Sequence, residues 1–264
     1  MTERLKQILD RLHHYNQEHM AERNFGLSEK VVYDALVYAP SFTPYKLKME
    51  ESFQITELPS AGYCASWLVE KDGLKIAWIR TATCASNLLD YLIMCGELTF
   101  QKLIFIGSVG ALKPEFDLGD VCTPSYAVAG TMANAYLKES LKDYIPFEKI
   151  LPDEQYVDGV IERARTNGFE IKKASVFCTD SITMEYTHLE EIRSFGTDLI
   201  EMETATFYEV AKMMEVPAAA LLVVSDNSAT GIPLIGRTEE QQRRYHHARE
   251  AVLPGMIEQI AKEK

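Results

Sequence analysis

The sequence predicts an α/β protein, a single domain over residues 1–264 in which helices cover both faces of a mixed central sheet as a three-layer α/β/α sandwich. Three observations carry this reading. Apolar runs of strand length alternate with segments of helical period along nearly all of the 264 residues. Runs such as Ala218–Val224 are apolar throughout, as strands buried on both faces are. No linker, low-complexity block or internal repeat interrupts the alternation.

Taken in order, residues 1–25 read as an N-terminal amphipathic helix, with Leu5, Ile8, Leu9 and Leu12 on one face. Val31–Ala39 is an apolar stretch stopped by Pro40-Ser41-Phe42-Thr43-Pro44. Ser60–Val69 and Leu74–Arg80 flank Asp72-Gly73, which predicts a β-hairpin. Ser86–Gly96 has a helical stripe of Leu88, Leu89, Leu92 and Ile93. Lys102–Ile106 is a short strand running into Gly107-Ser108-Val109-Gly110-Ala111, and Asp120–Pro124 is another. Asp153–Gly168 is a helix closed by Asn167-Gly168. Strand Ile171–Thr179, helix Leu189–Phe195, strand Leu199–Met202, helix Thr204–Met214 and strand Pro217–Val224 follow. A last helix covers Glu239–Glu263, with a break expected near Pro254-Gly255.

Lys and Arg number 27 against 39 Asp and Glu, a net charge of −12, which argues against general binding to nucleic acid or anionic membranes. The five cysteines are scattered, with no CxxC pair, and suit reduced thiols better than a disulfide framework. The N-terminus has charges every few residues and no apolar core of a signal peptide, so the expected location is cytoplasmic. The six histidines show no metal-binding spacing, and no metal or cofactor is expected.

In α/β sheets, ligands bind beyond the carboxyl ends of strands. Three strand ends here carry unusual residues. Gly107-Ser108-Val109-Gly110-Ala111 would let a ligand approach the backbone and offers a hydroxyl, although a plain glycine turn would read the same. Glu201-Met202-Glu203 places a carboxylate where it could accept from a sugar diol, or simply enriches a helix N-terminus in acid. Val224-Ser225-Asp226 puts an acid at the end of the most apolar strand, suited to proton donation or to capping a turn.

Together with Leu118-Gly119-Asp120-Val121, these motifs give the chain, from about residue 60 to the C-terminus, a resemblance to the nucleoside phosphorylase family. That is the purine nucleoside and uridine phosphorylase type, which also contains nucleosidases acting on AMP and methylthioadenosine. The resemblance implies a nucleoside phosphorylase-like fold and cleavage of the N-glycosidic bond of a nucleoside, a purine because Asp226 is present. It implies Ser108, Val109 and Gly110 around the phosphate and base, Met202 against the ribose, Glu203 on its hydroxyls beside Glu201, and Asp226 protonating the base. Thr179 joins the expected nucleoside pocket. An arginine on the last helix assists Asp226 in the family; the register favours Arg249, with Arg237, Arg243 and Arg244 as alternatives. The base-stacking aromatic position falls near Ile182, with Tyr186 the nearest ring.

The sequence departs from the family at the phosphate. The expected arginine two residues before Gly107 is Phe105, and the expected glycine turn after Arg80 reads Thr81-Ala82-Thr83-Cys84. Arg80 and Thr83 then become the replacement phosphate ligands. Phosphorolysis to ribose 1-phosphate, a pentosyltransferase reaction with phosphate as co-substrate, is the leading expectation. Phosphate-independent hydrolysis is the alternative, and an inactive nucleoside-binding relative a third. The family also implies a homo-oligomer, from dimer to hexamer.

Overall fold

The computed structural model describes residues 1–16, 18–62 and 64–263. Two helices, α1 (Glu3–Tyr15) and α2 (Met20–Phe25), precede strands β1 (Val32–Tyr33), β2 (Ala35–Tyr38), β3 (Gln54–Leu58), β4 (Ala65–Lys71) and β5 (Leu74–Arg80). Helix α3 (Ala85–Met94), strands β6 (Thr99–Phe100), β7 (Leu103–Ala111), β8 (Val121–Ala129) and β9 (Lys149–Ile150), and helix α4 (Glu154–Thr166) follow. The chain ends with β10 (Lys172–Cys178), α5 (Leu189–Ser194), β11 (Leu199–Glu201), α6 (Thr204–Met214), β12 (Ala218–Asn227) and α7 (Glu239–Lys262).

The central sheet runs β11-β10-β8-β12-β7-β2-β5-β4-β3. Strands β2, β5, β7 and β12 are mutually parallel, as are β8, β10 and β11, and the two sets meet antiparallel where β12 pairs β8. The sheet is also curled: β11 pairs antiparallel with the far end of β7, Ile200 opposite Gly110. That contact closes β7, β12, β8, β10 and β11 into a ring.

The layers follow from side-chain alternation. Along β12, Ala220, Leu222 and Val224 enter one core with Leu5, Phe25, Leu88, Leu92 and Phe207 of the helices on that face. Ala219, Leu221 and Val223 enter the other, with Val160 of α4 and Leu253, Met256 and Ile257 of α7. A strand buried on both faces cannot show a polar alternation, which is why this run is wholly apolar.

Several boundaries differ from the sequence reading. The N-terminal helix is two helices: Asn16 is extended (φ −133°, ψ 121°), and its side-chain amide donates to the Leu12 carbonyl at 2.8 Å, replacing the backbone donor that would continue the turn. Strand β7 does not stop at Ile106 but continues through both glycines, because β12 and β11 pair with it as far as Ala111. Helix α7 is continuous through Pro254. Strand β3, a largely exposed edge strand, has no core-facing pattern to announce it. No helix among the described residues is long and apolar enough to cross a membrane. Cys64, Cys95, Cys122 and Cys178 are buried free thiols, and Cys84 is partly exposed.

Candidate active site

The curl brings strand ends from both parallel sets to one cleft of about 240 Å³, at the small end of ligand pockets. Phe105, Gly107, Ser108 and Gly110 of β7 line it. So do Ile200 and Glu201 of β11, Met202 and Glu203 after it, and Ser225 and Asp226 of β12. Loops after β2, β5, β10 and β12 contribute Pro40 and Ser41, Thr83, the trio Thr179, Ile182 and Glu185, and Leu234.

Glu201 and Glu203 are both only 6% exposed, so each must find compensation. Burial raises the Glu201 pKa, and donors to both of its oxygens pull it back down. Its Oε2 accepts the Glu203 N–H at 2.8 Å and the Thr204 N–H at 3.0 Å, and the Cys178 thiol donates to Oε1 at 2.8 Å. Glu203 accepts one hydrogen bond, from Cys84 N–H at 2.6 Å. Burial, then the neighbouring charge of Glu201, raise its pKa, so Glu203 is the member of the pair that keeps a proton. Cys84 holds this contact with φ 100° and ψ 151°, a backbone region that strains any side chain. It stands in the loop where the resemblance led one to expect glycines.

Asp226 owes its direction to a bulge. The β12–β7 register shifts between Val224 and Asp226, so both Ser225 and Asp226 reach the cleft. Burial raises the Asp226 pKa, while the Ser225 hydroxyl, donating at 2.6 Å, and the charge of Arg237 pull it down. Gly110 makes room for this carboxyl: a Cβ there would lie 3.0 Å from Asp226 Oδ2.

The cleft thus gathers Ser108, Gly110, Thr83, Thr179, Ile182, Glu201, Met202, Glu203 and Asp226 of the expected residues. Four others lie off its wall. Val109 is 1% exposed and packs in the core beside Phe105, because its side chain falls on the buried side of β7. Tyr186 is 53% exposed and outside the lining, although partial burial and then the charge of Asp226 raise its phenol pKa. Arg80 ends β5 opposite Ala65, short of the cleft. Arg249 lies with its guanidinium 5.8 Å from the Phe42 ring and 5.5 Å from that of Tyr245. The arginine that reaches the Asp226 segment is Arg237, which donates to the Ser225 carbonyl at 2.8 Å. It precedes α7 and is one of the alternatives to Arg249, which the helical register favours. Phe105 occupies the expected arginine position, buried between Tyr38 and Phe207. Ser108 Oγ shares a 2.6 Å hydrogen bond with the hydroxyl of Tyr245, a residue for which the sequence held no signal.

Glu185 was also missed, since it lies on a short turn within no motif. Burial, then the charge of Asp226, push its pKa up to about 7. Among the described residues, no group of His, Cys, Asp and Glu is arranged to hold a metal ion.

Two DeoD-type purine nucleoside phosphorylases resemble the chain. That of Bacillus velezensis is 28% identical over 55% of this chain and 60% of its own length. That of Bacillus subtilis is 27% identical over 58% of this chain and 63% of its own. The matched stretch therefore spans less than two thirds of these relatives. Among solved structures, the Plasmodium knowlesi homologue of P. falciparum PNP superposes with a TM-score of 0.69 at 16% identity, covering 92% of this chain and 95% of that one. The Campylobacter jejuni 5′-methylthioadenosine/S-adenosyl homocysteine nucleosidase gives 0.68 at 17%, covering 86% and 98%. Both share the fold. The sequence model of the Phosphorylase superfamily matches residues 81–253, which include the lining residues of β7, β11 and β12, and the chain belongs to that superfamily.

Proposed function

We propose that the protein cleaves the N-glycosidic bond of a purine nucleoside, with water as the attacking group. The observation that carries the reading is the meeting of Glu203 and Asp226 in one small cleft. Bond breaking builds positive charge on the ribosyl group and negative charge on the base. Asp226, its pKa raised by burial, gives its proton to the purine so that the base leaves neutral; such general-acid help contributes roughly 10²–10⁴-fold. Glu203 engages the ribose hydroxyls, Met202 packs on the sugar, and the Glu201 carboxylate favours the cationic ribosyl group.

Electrostatics support water over phosphate. The cleft is lined by Glu185, Glu201, Glu203 and Asp226 and, among the described residues, by no Lys, Arg or His. A phosphate dianion would meet the Glu201 carboxylate with no cation in the lining to balance its charge. Phosphorolysis is the second reading. It is favoured by the Ser108 and Thr83 hydroxyls in the lining and by the names of the sequence relatives, and it calls for a cation from elsewhere, such as a neighbouring copy in a homo-oligomer.

Incubation with inosine, adenosine, methylthioadenosine, AMP and uridine, each with and without phosphate, tests this. Purine nucleosides should release base equally in both conditions, and uridine should not react. Release that requires phosphate and forms ribose 1-phosphate selects the second reading. Tight nucleoside binding without any release would overturn both and point to a binding protein.

A further inference from the structure

The two buried glutamates of the cleft pose a question of proton ownership. Two carboxylates two residues apart, both 6% exposed, cannot both ionise cheaply. The contacts around Glu201 divide the work. Every partner it has is a donor: the backbone N–H groups of Glu203 and Thr204, and the thiol of Cys178. The other titratable groups nearby are Glu203 itself and Tyr208 of α6, whose phenol feels the Glu201 charge.

Cys178 is fixed in this role from three sides. It is fully buried at the end of β10, in register with Glu201 of β11. Its sulfur accepts the Ala205 N–H at 3.2 Å, from the first turn of α6. With the sulfur lone pair engaged there, the thiol hydrogen goes to Glu201 Oε1, 2.8 Å away. A relay runs from the helix N-terminus through the thiol to the carboxylate. A side chain that only filled space would leave Oε1 with the longer Thr204 contact of 3.1 Å.

We propose that Cys178 is a positioning residue: its thiol proton holds Glu201 as the anion that pins the start of α6, and so leaves Glu203 as the carboxyl presenting an O–H to the cleft. The consequence for turnover rests on the reading of Glu203 as the ribose-binding group; the placement of the proton does not. No bond to carbon is made or broken in this step. The proton that the pair retains stays on Glu203 rather than passing to Glu201.

The test uses the full chain with ¹³C-labelled glutamate, followed by carboxyl NMR across pH, alongside the pH profile of kcat/KM for adenosine. A hydrogen bond to a charged group is worth roughly 1.5–3 kcal/mol, about one to two pH units. In Cys178→Ala, Glu201 should therefore titrate at least about one unit higher, and the acid limb of the activity profile should move with it. Cys178→Ser, which restores a donor, should return both to the wild-type position. If Cys178→Ala melts too early to titrate, Cys178→Val fills the volume without a donor and takes its place. An unmoved Glu201 resonance in the folded donor-less variant, or a serine variant that behaves like alanine, overturns the proposal. Failure to cleave any nucleoside would sink the functional reading while the NMR titration still decides this one.

Discussion

Glu203 and Glu201 show how two identical, equally buried side chains two residues apart acquire different chemistry from their neighbours. Glu203, buried with only one hydrogen bond and the charge of Glu201 beside it, has its pKa lifted by that burial and that charge above the usual carboxylate value of about 4.3. The sign of the linkage follows. At pH values between the unfolded and folded pKa, the folded state binds more protons than the unfolded chain. The stability is fully present at low pH and is lost as pH rises through that window. Glu185, lifted to about 7, acts in the same sense. Glu203→Gln carries no charge to bury, so its melting temperature should fall less than that of the wild type between about pH 5 and 9. Its kcat/KM should drop by roughly 2–10-fold through loss of the O–H that Glu203 presents to the ribose hydroxyls. Calorimetry at each pH checks the first half, and parallel curves for the two proteins would remove Glu203 from the linkage. At this scale, the residues readable in advance were those at the ends of strongly apolar strands, Glu201 to Glu203 and Asp226. Glu185 on its short turn and Tyr245 within a polar helix face had no pattern to expose them.

At the scale of elements, the cleft depends on two irregularities in β-structure that periodicity does not encode. One is the continuation of β7 through Gly107 and Gly110, which reads in sequence as the end of a strand. The other is the bulge at Ser225, which turns Asp226 inward from a strand that reads as ending at Val224. The long loop between β12 and α7 hides a third feature, because a loop's path is not set by helical period; hence Arg237, not Arg249, reaches the acid's segment. The alternation of strands and helices, and most element bounds, were legible because each apolar run divides between two cores. The glycine and the bulge meet at one point. A Cβ on Gly110 would lie 3.0 Å from Asp226 Oδ2 and 3.1 Å from Ile200 Cγ2. Gly110→Ala should therefore displace the carboxyl at an overpacking cost of about 1–3 kcal/mol. Misplacement on the order of 1 Å can cost up to ~10²-fold in rate. The expected result is a folded protein with sharply reduced kcat for purine nucleosides. Unchanged kcat would mean that Asp226 tolerates the shift or takes no part.

For the whole molecule, the net charge of −12 acts in the same direction as a cleft that holds the Glu201 carboxylate and, among the described residues, no lining cation. A neutral nucleoside meets no long-range force on approach, whereas a nucleotide or phosphate ion is repelled first by the surface and then by the lining. Such fields change association rates by roughly 10–10³-fold and fade once salt shortens the screening length to a few ångströms, about 3 Å at 1 M. The water-based reading consequently makes a demand on ionic strength. Adenosine should be cleaved at least roughly tenfold more efficiently than AMP at low salt, with its own kcat/KM almost flat as salt rises. The AMP rate should climb with salt and narrow the gap. A chain that took AMP faster than adenosine, and lost that preference as salt was added, would have to contain a cationic anchor near the sugar. The phosphorolytic reading would then gain the positive site that the described residues do not place in the cleft lining.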